Sequence, residues 1–217
     1  MQTRGHGRQV LRPSSKIRFY HLFRFPQTAT VYTEYFRRWL EASHWSSKAT
    51  AQAENKRKVI FYTRKGTTDR RVVELRLEEL LIEKTREAMV RRGQNGDDLV
   101  IFSGKDEEGN TLSLQEQFTL FSSADTVVGP HGSGLTNMIW MDPRCSSKRN
   151  GPKVIEFVSS DRTKLVQSGS VFGYWFLYGS LPWIDYKQLY YTEESTNEEV
   201  FIDPETFVKA LNDLWNT

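Results

Sequence analysis

The 217-residue chain carries 30 Lys and Arg against 27 Asp and Glu, a net charge of +3, with 13% aromatic residues. This is the composition of a globular protein able to bury a core, and the near balance of charge makes no case for nucleic acid as a partner. No run reaches the ~18 apolar residues of a membrane span, the start has no short apolar core of a signal peptide, and the lone Cys145 excludes an internal disulfide or a cysteine metal set.

Residues 1–30 are basic, with Arg4, Arg8, Arg12, Lys16, Arg18 and Arg24 facing no acid in the first 24 positions, and they are expected to be mostly irregular. From Val31, apolar residues at Tyr35, Phe36, Trp39 and Leu40 mark an amphipathic helix. The polar, aperiodic stretch 46–58 reads as a linker. A short buried strand follows at Val59 to Thr63, then a polar turn and a helix from Val72 to Arg92 with Val73, Leu77, Leu80, Leu81 and Ala88 on its face, closed by Gly93 and Gly96.

A second strand is expected at Asp98 to Ser103, a helix face at Leu114, Phe118 and Phe121, a third strand at Thr126 to Val128, a helix at Leu135 to Met141, and a fourth strand at Lys153 to Val158. Residues 172–186 are aromatic and less regular. Asp203 and Pro204 pair a cap with proline at the first helical position, and Phe207, Leu211 and Leu214 make a stripe on the closing helix. Short apolar strands alternating with helices predict an α/β fold with a Rossmann-like parallel sheet, whose strand ends share the one edge where such sheets bind ligands.

That edge receives the sequence TVVGPHGSGLTN, residues 126–137. A helix start presents amide groups without partners, and glycines let an anionic group come close, so the amides near Gly132, Ser133, Gly134 and Leu135 suit a phosphate. A hydrolase elbow is ruled out, because Ser133 has His131 two before it and Leu135 two after it rather than glycines. The dinucleotide fingerprint is only partly met: Gly132 and Gly134 fit, and Asn137 stands in the third glycine's place.

Glu156, a carboxylate inside an apolar strand, is read either as a ribose ligand or as the partner of a basic side chain. His131 either donates to a diphosphate oxygen or caps the following helix, and Asn137 bonds either the ligand or the loop backbone, the loop being the expectation. Arg64, Arg70 and Arg71, in a second polar bend after the first strand, can offer guanidinium groups to a diphosphate or form a solvated basic turn.

Together YTRKGTTDRRVVELRLEELL, LSLQEQFTLFSSADTVVGPHGSGLTNMIWM and KVIEFV resemble the glycosyltransferase 61 family over roughly residues 58–186. HGSGLTN stands where that family has His-Gly-Ala-Gly-Leu-Thr, with Glu116 and Gln117 ahead of it. The chain departs from the pattern at Glu74, where the family has Asn, and in residues 144–151, which lengthen the loop before Glu156.

The resemblance implies two Rossmann-like halves in a GT-B arrangement, of which residues 56–217 are the donor-binding C-terminal half and residues 1–55 the tail of the other. It implies inverting transfer of a sugar, GlcNAc or a pentose such as xylose, from a UDP-sugar to a protein or polysaccharide hydroxyl, with no metal or other cofactor. It places Arg64 and Arg70 at the diphosphate, His131 and Gly132 to Leu135 at phosphate or sugar, and Glu156 at the ribose. The general base belongs to the other half. The lumen of ER or Golgi is the implied location, whereas the chain alone reads as cytosolic or as part of a longer protein. An inactive or truncated transferase-like binding module and a nicotinamide oxidoreductase are the other readings.

Overall fold

In the computed structural model the described residues are 58–65, 73–142, 151–159, 184–193 and 200–216. The expected helix at Val31 to Leu40 and the basic segment lie outside them. Six strands form one sheet: β1 (Lys58–Tyr62), β2 (Leu99–Phe102), β3 (Ala124–Pro130), β4 (Lys153–Ser159), β5 (Asp185–Glu193) and β6 (Val200–Phe201), in the order β2-β1-β3-β4-β5-β6. The first five are parallel, and β6 runs antiparallel to β5. The predicted parallel α/β sheet is therefore present and compatible with a Rossmann-like fold.

Helices cover both faces. On one, α1 (Leu75–Arg91) packs beside α3 (Pro204–Asn216), and Leu77, Leu81, Met89, Phe207 and Leu211 close over Val59, Phe61, Val128 and Phe157. On the other, α2 (Leu114–Ser122) and a 3₁₀ helix at Ser133–Trp140 bury Phe118, Phe121, Leu135 and Met138 against Ile60, Tyr62 and Val127. Adjacent residues of each strand thus enter different cores, which is why the strands read as continuous apolar runs.

Local chemistry sets the ends. Glu74 caps α1, its carboxylate accepting from the amides of Arg76 and Leu77, so the helix starts at Leu75 rather than at Val72. Gly93, at φ 79°, and Gln94 close it in a Schellman motif, Gly93 N–H donating to the Val90 carbonyl and Gln94 N–H to that of Met89. Ser113 and Glu116 form a capping box on α2, and Asp203 caps α3 through the Thr206 amide at 2.8 Å, with Pro204 first in the helix as predicted.

Two apolar positions assigned to buried helix faces are exposed, Leu80 at 42% and Leu114 at 49%. At 100° per residue Leu80 falls about 80° from the centre of the face defined by Leu77, Leu81 and Ala88, at the edge of that face. β3 runs well beyond the expected three residues, and the helix after it is 3₁₀ in type.

At the N-terminal end of β3 the register shifts between Lys58 and Val59, leaving Asp125 as a bulge residue. A buried cluster forms around it. Arg92, just past α1, lies 3.6 Å from Asp125 and stacks 4.8 Å over the Trp215 ring, while Trp215 Nε1–H donates to Thr126 Oγ1 at 2.9 Å and the Thr126 hydroxyl donates to Asp125. This ties α1, β3 and α3 together at the edge opposite the candidate site.

Candidate functional site

The chain leaves β1 for β2 on one side and reaches β3 on the other, so the direction of winding reverses between β1 and β3. α1 follows β1 on one face and the 3₁₀ helix follows β3 on the other. A crevice opens between two such diverging connections at the carboxyl ends of the strands, and ligands of open α/β sheets bind there. In this chain the two ends are Thr63 to Lys65 and His131 to Gly134.

These ends are joined directly. The Arg64 guanidinium donates from Nη1 to the His131 carbonyl at 2.9 Å, and Arg64 and His131 are both buried. His131 N–H continues the β3–β4 ladder, donating to the Phe157 carbonyl at 2.9 Å. The His131 ring turns to β4, with Nδ1 2.5 Å from Glu156 Oε1. The other oxygen of Glu156 accepts from the Tyr186 hydroxyl of β5. Glu156 is 1% exposed, so the expected ribose ligand is a carboxylate whose two oxygens already have partners, the basic one being His131. Burial and the adjacent Glu156 charge push the Tyr186 phenol pKa far up, so its proton stays in place as a donor.

The glycines have a second use besides ligand approach. A Cβ on Gly132 would stand 2.7 Å from Arg64 Nη1 and 3.1 Å from the Tyr62 hydroxyl, one on Gly134 2.4 Å from Tyr62 Cε2, and one on Gly129 2.5 Å from the Tyr62 carbonyl oxygen. Gly132, at φ 169°, is extended, so closeness rather than conformation demands glycine there. The bend is moulded on Tyr62 and Arg64, and Tyr62 is a residue that periodicity marks only as core.

Of the two helix starts at this edge, that of α1 is filled by the carboxylate of Glu74. Those two amide bonds hold its pKa below the usual carboxylate range. The 3₁₀ helix begins at Gly132 without a side-chain cap, and Ser133 is exposed. Leu135 is not among its open donors, because Leu135 N–H bonds the Gly132 carbonyl at 3.1 Å and its side chain is in the core. Gly132, Ser133 and Gly134 thus remain the amides placed for an anion. Arg70 and Arg71 lie outside the described residues.

Asn137, expected to bond loop backbone, instead bonds side chains: its Nδ2 donates to Gln117 Oε1 at 2.9 Å and its Oδ1 accepts from Trp140 Nε1 at 3.3 Å. Gln117 in turn donates to the Leu112 carbonyl at 2.9 Å. The Glu116–Gln117 pair therefore acts locally, Glu116 capping α2 and Gln117 tethering it to the 3₁₀ helix. Under β1, Thr63 donates to Glu78 Oε1 at 2.6 Å and accepts from Lys65 N at 3.0 Å, bracing the turn that carries Arg64. Burial raises the pKa of Glu78, with the Thr63 bond and Lys65 opposing it.

Fold and site together define a parallel α/β domain with an arginine, a carboxylate-held histidine and a glycine bend gathered at its switch point, a class suited to binding anionic ligands at that edge. The family described as Glycosyltransferase 61 matches residues 10–147, well over half of the chain, and the chain belongs to that family. It is by family a glycosyltransferase, a class that implies a nucleotide-sugar donor and an acceptor. A search of curated proteins finds no match. Arg64, His131 and the bend lie within the matched residues, whereas Glu156 and Tyr186 lie beyond them. Among the described residues no helix is long and apolar enough to cross a membrane.

Proposed function

We propose that the chain is the donor-binding half of an inverting GT-B glycosyltransferase. It would take a UDP-sugar, with GlcNAc or a pentose such as xylose as the sugar, and transfer it to a hydroxyl of a protein or polysaccharide in the secretory pathway lumen. In this reading residues 56–217 form the nucleotide-sugar domain and residues 1–55 belong to the other half. The acceptor oxygen attacks the anomeric carbon as its proton passes to a general base in the other half, the bond from that carbon to the diphosphate oxygen breaks, and the diphosphate leaves with the electron pair. Arg64, with Arg70 and Arg71 close behind it in the sequence, supplies positive charge. The amides of Gly132 to Gly134, beside His131, donate to the departing oxygens, and donors fixed in place before the reaction stabilise the developing charge most. Glu156 holds the imidazole, and no metal or other cofactor is required.

The observation that carries the reading is the 2.9 Å bond from Arg64 to the His131 carbonyl, which brings the guanidinium onto the turn that bears the imidazole at the switch point. Calorimetric titration of the chain with UDP and with NAD tests it. UDP is expected to bind more tightly; tighter binding of NAD would end the transferase reading, and binding of neither would leave an inactive module.

A further inference from the structure

β5 presents Tyr186, Gln188 and Tyr190 along one side, and they are bonded in series. The Tyr190 hydroxyl donates to Gln188 Oε1 at 2.8 Å, and Gln188 Nε2 donates to the Tyr186 oxygen at 3.1 Å. Tyr186 then donates to Glu156 Oε2, and Glu156 Oε1 meets His131 Nδ1. The series has only one consistent direction. The direction is set at the Glu156 end: a carboxylate only accepts, so Tyr186 donates to it and accepts from Gln188 Nε2, which leaves Gln188 Oε1 to accept from Tyr190. A carboxylate receiving a donor at one oxygen is left with the other oxygen to accept from Nδ1–H.

We infer that Tyr186 is a positioning residue for His131: the directed series on β5, ending at Glu156, selects the imidazole tautomer protonated at Nδ1 and holds the ring against the glycine bend. Nε2 is then the ring nitrogen that does not carry the tautomeric proton. In the neutral ring it is an acceptor, and with a proton it is a second donor. The high pKa of the Tyr186 phenol agrees with its fixed role as donor. The catalytic meaning of this tautomer rests on the nucleotide-sugar reading; the tautomer itself does not.

Long-range proton–nitrogen spectra of the full chain, labelled on its four histidines and assigned with His131→Asn, test the inference without nucleotide. The wild-type ring is expected to show one tautomer, protonated at Nδ1. Tyr186→Phe keeps the ring and removes the donor; it is expected to give averaged or exchanging nitrogen signals and, because it acts on the ligand only through His131, UDP binding weakened by roughly twofold to tenfold. A wild-type spectrum protonated at Nε2, or a Tyr186→Phe spectrum identical to wild type, overturns the inference. If Tyr186→Phe does not unfold cooperatively, Gln188→Ala carries the same test, with a smaller change expected and an unchanged spectrum overturning it. Wild-type protein that shows the Nδ1 tautomer but does not bind UDP would remove the proposed function and leave the positioning intact.

Discussion

The Tyr62 ring and the backbone of Gly134 lie so close that a Cβ on the glycine would stand 2.4 Å from Tyr62 Cε2. The ring cannot simply swing away, because it packs against Phe102 with centroids 6.1 Å apart and is buried in the core. Gly134→Ala is therefore expected to destabilise by about 1–3 kcal/mol, the cost of overfilling a packed interior. Urea unfolding reads this out. Combined with Tyr62→Leu, which clears the space, the alanine should cost measurably less than it does alone, and strictly additive costs would place the strain elsewhere.

Arg64 both braces the bend and brings charge to it. Arg64→Ala is expected to weaken UDP binding by a charge-assisted contact of about 1.5–3 kcal/mol. Because the His131 carbonyl loses its donor, unfolding should also occur at lower denaturant. An unchanged dissociation constant with lowered stability would make Arg64 a brace alone.

The cluster under α3 separates two kinds of loss. Trp215→Phe keeps a ring beneath Arg92 but deletes the donor to Thr126, about 0.5–1.5 kcal/mol, together with the contacts of the larger buried ring. Arg92→Met leaves Asp125 buried beside no cation at that position, and a stranded buried charge costs about 3 kcal/mol or more. Equal costs in thermal unfolding would argue that the ion pair contributes nothing.

Glu78 gives stability a pH dependence of definite sign. Its pKa is raised by burial, so the folded chain holds the proton more tightly than the unfolded chain does. That contribution is complete below the ordinary glutamate value of about 4.3 and is lost as pH rises through the raised value. Glu78→Gln preserves an acceptor for Thr63 and should remove this loss. The difference in unfolding free energy between the two proteins is expected to grow in favour of the variant over that window, and a difference independent of pH would mean that Glu78 does not titrate there.

The sequence made the sheet legible where physics was local. β1 and β4 are largely apolar runs buried on both faces, β2 is an apolar run at the sheet edge, and the Asp203–Pro204 start of α3 is an end signal that depends on no distant partner. β5 was hidden because Asp185, Tyr186, Lys187 and Gln188 are half-buried near the sheet edge and show no clean alternation. The bend was legible as a place of close approach. Its partner was not, since Tyr62 comes beneath Gly132 and Gly134 only through the pairing of β1 with β3. Glu156 was recognisable as an acid needing a partner, but the register that sets it beside His131 and Tyr186 is a tertiary fact.

The position of β1 has a consequence for how the protein is made. Val59 must pair with both Leu99 and Thr126, each far along the chain, before the centre of the sheet exists. Such long-range pairing places folding in the slow range, milliseconds to seconds, and until β3 arrives one edge of β1 is open to any other strand. Recovery from denaturant should accordingly depend on protein concentration, improving on dilution as strand exchange between molecules loses to closure within one.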